Sequence, residues 1–101
     1  MIYGYKRPLL EDENGEKQLK NMQVDQLIWE THGLPQKRHA LDQLLLTWQQ
    51  NDIVIVERLA VLADSLQHLL DLLYIANKDG VILQFSHEGI TRRIVILSAT
   101  P

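Results

Sequence analysis

Lys6, Arg7, Arg38 and Arg58 are the residues of this chain best placed to do chemistry. Lys6 and Arg7 follow the apolar opening run. Arg58 follows Ile53-Val54-Ile55-Val56, and Arg38 opens an amphipathic stretch. In an open parallel sheet, strands deliver such residues to the edge beyond their carboxyl ends, where ligands bind. Guanidinium and ammonium groups gathered there suit a phosphate or another anion. The plainer alternative is that they are solvated charges paired with Glu11, Asp12 or Asp64, and the acidic run 11–13 weighs toward it. Glu30 and Glu57 also follow strand-like runs and could form an acid/base pair, but no nucleophile or metal set accompanies them. His32, His39, His68 and His87 lack the short spacing of metal ligands. They suit ordinary polar or cap positions, so neither a metal nor a cofactor is expected. The first thirty residues contain no serine, threonine or cysteine, and the whole chain has no cysteine.

The elements that must position these groups follow from composition and period. With 101 residues and 11.7 kDa the chain is expected to be one domain spanning 1–101. Its apolar content is 46%, its charged content 23%, and its net charge −3. That balance argues against tight, autonomous duplex binding, which draws on a basic surplus. The longest apolar runs are far short of the roughly 20 residues of a membrane span. The opening residues lack the basic-then-apolar pattern of a signal peptide, and a cytoplasmic location is the expectation.

Short apolar runs alternate with amphipathic stretches, the pattern of βαβ units and a parallel sheet. Residues 1–5 form a first strand, 8–15 a loop, 16–24 a short helix with Leu19 and Met22 inward, and 27–29 a second strand. Residues 38–50 form a helix with Leu41, Leu44, Leu45 and Trp48 on one face. The β-branched run 53–56 is a central strand. Asp64 with Gln67 resembles a capping box opening a helix over 65–78, with Leu66, Leu69, Leu70 and Leu73 buried. Gly80 closes it, and 81–85 is a fourth strand. The tail 90–101 is open between strand and helix, Ile94-Val95-Ile96-Leu97 having strand propensity. Trp29 and Trp48 could stack on bases, but both are expected in the core.

The opening Tyr5-Lys6-Arg7-Pro8-Leu9 resembles the start of a serine recombinase (resolvase/invertase) catalytic domain. In that family a strand ends in tyrosine, one residue, arginine, one residue, then the nucleophilic serine. Further similar segments are Gln18-Leu19 with Met22, residues 38–45, 52–56 and 65–73, Gly80-Val81, and Glu88-Gly89-Ile90. The resemblance implies a doubly wound α/β fold. Its sheet is mainly parallel, with four to five strands in the order 2-1-3-4 and helices on both faces.

The resemblance also implies a reaction, cleavage and rejoining of DNA through a phosphoserine link, with arginines holding the phosphate. Two of those arginines are retained as Arg7 and Arg38. The nucleophile position holds Leu9. The family's Asp-Arg-Leu-Gly-Arg-Ser stretch reads Ala60-Val61-Leu62-Ala63-Asp64-Ser65 here. Aspartate has become Ala60, one arginine Val61, and the second arginine Asp64, whose charge would repel a phosphate. Leu9 and Leu10 could form an exposed contact surface or fold inward and plug the site. Ile96-Leu97-Ser98-Ala99 is like the opening of the family's long dimerisation helix, and no helix-turn-helix module follows in this chain.

The reading that best fits is a catalytically inactive recombinase-like domain acting as a protein-interaction or regulatory module. It would assemble with itself, an active recombinase or an unrelated protein. A DNA-associated accessory protein using Lys6, Arg7 and Arg38 is the alternative. An enzyme of unrelated chemistry at the same sheet edge is the third reading.

Overall fold

The run Ile53-Val54-Ile55-Val56 becomes the centre of the sheet because β-branched side chains suit a strand covered on both faces. In the computed structural model, residues 1–9, 12, 15–20, 22–30 and 38–86 are described, with 90–94 described as backbone only. The strands are β1 (Ile2–Lys6), β2 (Gln26–Trp29), β3 (Ile53–Val56), β4 (Ile82–Phe85) and β5 (Ile90–Ile94). The helices are α1 (His39–Thr47), the single turn α2 (Leu59–Leu62) and α3 (Leu66–Asp79). The sheet order is β2-β1-β3-β4-β5, parallel except for the antiparallel β5. The α/β class and the order 2-1-3-4 are therefore as expected. The tail adds a fifth strand over Ile90–Ile94, earlier than the 94–97 segment favoured by propensity. Residues 96–99 lie outside the described part.

Register decides which side chains share a face. Tyr3 pairs with Val54 and Tyr5 with Val56, while Val54 pairs with Leu83 and Val56 with Phe85. This row is buried under Leu41 and Leu44 of α1, Trp48 just after it, Val61 and Leu62 of α2, and Leu72 and Ala76 of α3. On the other face Leu19 and Val24 cover β1. A Cβ on Gly4 would lie 3.0 Å from Leu19 and 3.1 Å from Val24, so a side chain there would require both to shift by a few tenths of an ångström.

The helix expected over 16–24 is replaced by turns over 15–20. Leu19 adopts φ +56, which no helix tolerates. Tertiary bonds outcompete the helical ones. The Gln18 amide pairs with both the N–H and the C=O of Arg7 at 3.1 and 2.7 Å, and Leu19 N donates to Glu57 at 2.8 Å. Leu19 is buried as expected, but Met22 is exposed. Trp29 is 39% exposed rather than in the core, because β2 turns it to the face opposite α1. There it lies beneath the Lys6 ammonium, 4.8 Å from the ring centroid.

α1 ends at Thr47, short of the expected Gln50. Trp48 turns extended, and Asp52 closes the following turn by accepting from Gln49 N at 2.8 Å. The α3 cap is Ser65 rather than Asp64, its hydroxyl accepting from His68 N at 3.1 Å. The buried row of α3 runs through Leu72 and Ala76, whereas Leu66 and Leu70 face outward. The helix ends at Gly80 in the left-handed conformation, φ +74, with Val81 N donating to Ala76 O at 2.8 Å. A Cβ there would also stand 2.8 Å from the Gln50 side chain. Gly80→Ala should destabilise the protein by about 1–2 kcal/mol, read as a lower urea midpoint with an unchanged slope. An unchanged midpoint would show that the cap is not under this constraint.

Candidate functional site

Beyond the carboxyl ends of β1 and β2, the chain brings Arg7, Glu30, Arg38 and Asp64 together, with the Arg38 guanidinium 5.7 Å from the centroid of the Tyr5 ring. Strand polarity places Arg7 just past β1 and Glu30 just past β2. Arg38 precedes α1. As its cap residue it lacks a Ser, Thr, Asp or Asn side chain to satisfy the first N–H groups. Glu30 supplies that function from across the sheet edge, accepting from Ala40 N at 3.0 Å and Leu41 N at 2.9 Å. The same carboxylate accepts from the Tyr5 hydroxyl at 2.7 Å and lies 3.6 Å from Arg38 Nε.

Arg38 spends its whole fork internally. Nε and Nη2 donate to the Tyr5 hydroxyl at 3.1 and 2.9 Å, and Nη2 donates to Leu62 O at 2.5 Å. Nη1 donates to Asp64 Oδ2 at 2.8 Å. Arg7 holds the other oxygen of the same carboxylate through Nη2, and its Nη1 reaches Val61 O at 3.5 Å. The two guanidiniums thus clamp Asp64 and the carbonyls of α2 against the sheet. They are not solvated charges: Arg7 is 5% and Arg38 6% exposed.

The ionisation states follow from these contacts. Burial pushes the Tyr5 phenol above its ordinary value, the bond to Glu30 adds to the rise, and Arg38 only partly opposes it. Tyr5 therefore remains a donor. For Asp64, burial acts to raise the pKa, but the bonds and charges of Arg7 and Arg38 outweigh it, and the net direction is down. Two cations and two carboxylates leave the cluster formally neutral, with Asp64 its solvent-facing member at 23% side-chain exposure.

The other expected residues fall elsewhere. Lys6 points to the opposite face, over Trp29, and does not join Arg7. Arg58 is half-buried at the start of α2. Leu9 folds inward and packs against the core rather than forming an exposed contact, its backbone bridged to Asp12 at 3.1 and 3.0 Å. Leu10, Glu11 and Glu13 lie outside the described residues. Ala60 is exposed, while Val61 is fully buried. Glu57 accepts from Leu19 N at 2.8 Å and from Ser86 Oγ at 3.5 Å. His39 is exposed and His68 Nδ1 accepts from Asp64 N at 3.2 Å, while His32 and His87 lie outside the described residues. Among the described residues no group of His, Cys, Asp and Glu could hold a metal ion, and no helix could cross a membrane. Sequence reasoning missed Tyr5 and the Glu30–Arg38 pair as members of one site. The available signal was the absence of a capping side chain before α1.

The model of the resolvase N-terminal domain family matches residues 11–95. The chain belongs to this family. No curated protein matches it. The mainly parallel sheet is that of the resolvase N-terminal domain. In this resolvase-type domain Arg7 and Arg38 stand side by side at the sheet edge, with Asp64 between them.

Glu30→Ala would remove the buried one of Arg38's two carboxylate partners and leave the start of α1 uncapped. Its expected cost is about 3–5 kcal/mol, against about 1–2 kcal/mol for Tyr5→Phe. Urea denaturation of both variants checks the order, and equal losses would contradict the central role of Glu30. The Asp64 pair adds a pH signature. A carboxylate whose pKa is lowered on folding contributes stability that is present above its ordinary value of 3.8. The contribution is lost as pH falls through the folded value. Asp64→Asn should therefore be less stable than the parent at pH 7, with the gap closing below 3.8. A gap that stays constant down to pH 3 would mean that the ion pair adds nothing.

Proposed function

We propose that this chain is a catalytically silent resolvase-type domain working as a protein-interaction or regulatory module. One observation carries the reading: a single carboxylate, Asp64, is gripped by both guanidiniums that the family resemblance would assign to a phosphate. An incoming phosphate would have to displace a covalently attached anion already hydrogen-bonded to both. Leu9 supports the same reading. It has no nucleophilic atom, and its side chain is packed on the core where attack would have to start. The partner is a second copy, an active recombinase or another protein. The DNA-associated alternative needs cations facing solvent, and the burial of Arg7 and Arg38 speaks against it.

The test is incubation of the purified protein with supercoiled and linear duplex DNA over a salt titration. No nicking, no covalent protein–DNA adduct and no salt-sensitive duplex binding are expected. A covalent adduct would overturn the reading, and salt-sensitive binding without one would transfer support to the accessory role. Asp64→Ser tests the blocking carboxylate directly. Inorganic phosphate at tenfold over its Kd should stabilise the variant by about 1.4 kcal/mol and leave the parent unchanged. Equal stabilisation of both would show that Asp64 does not occupy the anion position.

A further inference from the structure

The apolar arc of α3 is wider than the sheet can cover. Leu72 and Ala76 are buried, and Leu69 and Leu73 are half-buried against the core. Next to them, Leu66, Leu70 and Tyr74 are 71%, 47% and 56% exposed. Residues four apart stack in a line on a helix, so these three form one continuous outward row. A helix whose outer side faces only water carries polar residues there. Asp71 stands beside the row, and Lys78 continues it one turn beyond Tyr74 at the end of the helix. Asp71 is turned aside by a bond from Gln67 at 2.8 Å.

A depression of about 240 Å3 opens beside Leu66, between α2 and the start of α3. Its apolar wall is formed by Leu59, Ala63 and Leu69, while Asp64 and Ser65 bring polar atoms to its rim. That combination suits a phenol, with an apolar ring inside and a hydroxyl at the wet edge. Tyr74 lies eight residues along the same row, roughly 12 Å from Leu66 at the helical rise.

We propose that the row Leu66, Leu70 and Tyr74 docks a second copy of this chain, the two α3 helices packing antiparallel about Leu70. The inference rests on the reading of the domain as an interaction module. In that arrangement Leu70 meets its counterpart on the two-fold axis. Tyr74 of each copy enters the depression beside Leu66 of the other, so each copy presents one projection and one recess. This is the self-complementarity that a two-fold contact requires. Covering the three side chains on both copies removes roughly 600 Å2 of mostly apolar surface. That is about half of the ~1,200 Å2 of a small specific interface, so α2 and the helix flanks must contribute. The resulting dimer dissociates on dilution.

Sedimentation velocity across a concentration series tests this. The parent should move from the 11.7 kDa monomer toward twice that mass as concentration rises. Leu70→Glu places like charges face to face on the axis and should hold the protein monomeric, with an unchanged circular dichroism spectrum. Tyr74→Ala should raise the dissociation constant at least tenfold and supplies the same test should Leu70→Glu perturb folding. Leu46→Glu, at an 80% exposed position on α1, should change neither mass nor affinity. A monomer at every concentration, or a dimer indifferent to both row substitutions, would overturn the inference. The DNA assay separates the two claims. A covalent adduct from a row-dependent dimer would sink the silent-domain reading alone, and an adduct-free monomer would sink the dimer alone.

Discussion

The carboxylate of Glu30 is the constraint around which this edge of the molecule is built. It is 2% exposed, and an isolated charge at that depth is not tolerated. Three donors and one cation resolve the problem: the Tyr5 hydroxyl and two backbone N–H groups at the start of α1 donate to it, and the Arg38 guanidinium pairs with it at 3.6 Å. One comes from β1 and the other three from residues 38–41 at the start of α1. Satisfying one buried anion therefore fixes the angle of α1 to the sheet and the position of Arg38. Arg38 then carries the constraint outward, since its remaining donors hold Leu62 O and Asp64. The short α2 is packed on the core through Val61 and Leu62 and tied down by arginine at its carbonyls.

This chain of dependence turns the two arginines from solvent-facing charges into internal fasteners. A guanidinium is suited to either task because its planar fork serves carboxylates, phosphates and carbonyls alike. What distinguishes the tasks is whether the bonded anion can leave. Asp64 is part of the backbone that the arginines also hold, so releasing it disturbs α2 and the start of α3 together. The recess beside Leu66 is bordered by that same Asp64. The closed sheet edge and the outward row of α3 are therefore adjacent surfaces of one rigid unit.

Much of the fold was legible in the sequence, for reasons particular to each element. The run 53–56 has no competing interpretation, and Gly80 after an amphipathic stretch marks a helix end that few residues could make. The position of Arg7 at the sheet edge followed from strand polarity, and Arg38 was placed near the same edge only as the residue opening a helix. Other features were not legible. Leucines at 66, 69, 70, 72 and 73 satisfy two overlapping helical faces, and only contact with β4 selects Leu72 and Ala76 for the core. Asp64 and Ser65 are both capping residue types. The choice of Ser65 depends on Arg7 and Arg38, distant in sequence, claiming the aspartate. The turns at 15–20 arise from bonds made by Gln18 and Glu57 to remote partners, which no local period records. Trp29 was misplaced because composition marks it as apolar, while its strand is the outermost of the sheet.

The order of strands also sets a temporal constraint. β1 opens the chain, yet its two neighbours are β2 and β3, and its register with β3 joins Ile2 to Ile53 and Tyr5 to Val56. The hydrogen bonds that flank β1 are all closed over long loops, and such closures are slow compared with the winding of α1 or α3. During synthesis β1 must wait, unpaired on one side, until β3 has emerged. Closing that long-range pairing is the step that topology expects to be slow. The helices, which form quickly, are scaffolds that bring β3 to the waiting strand.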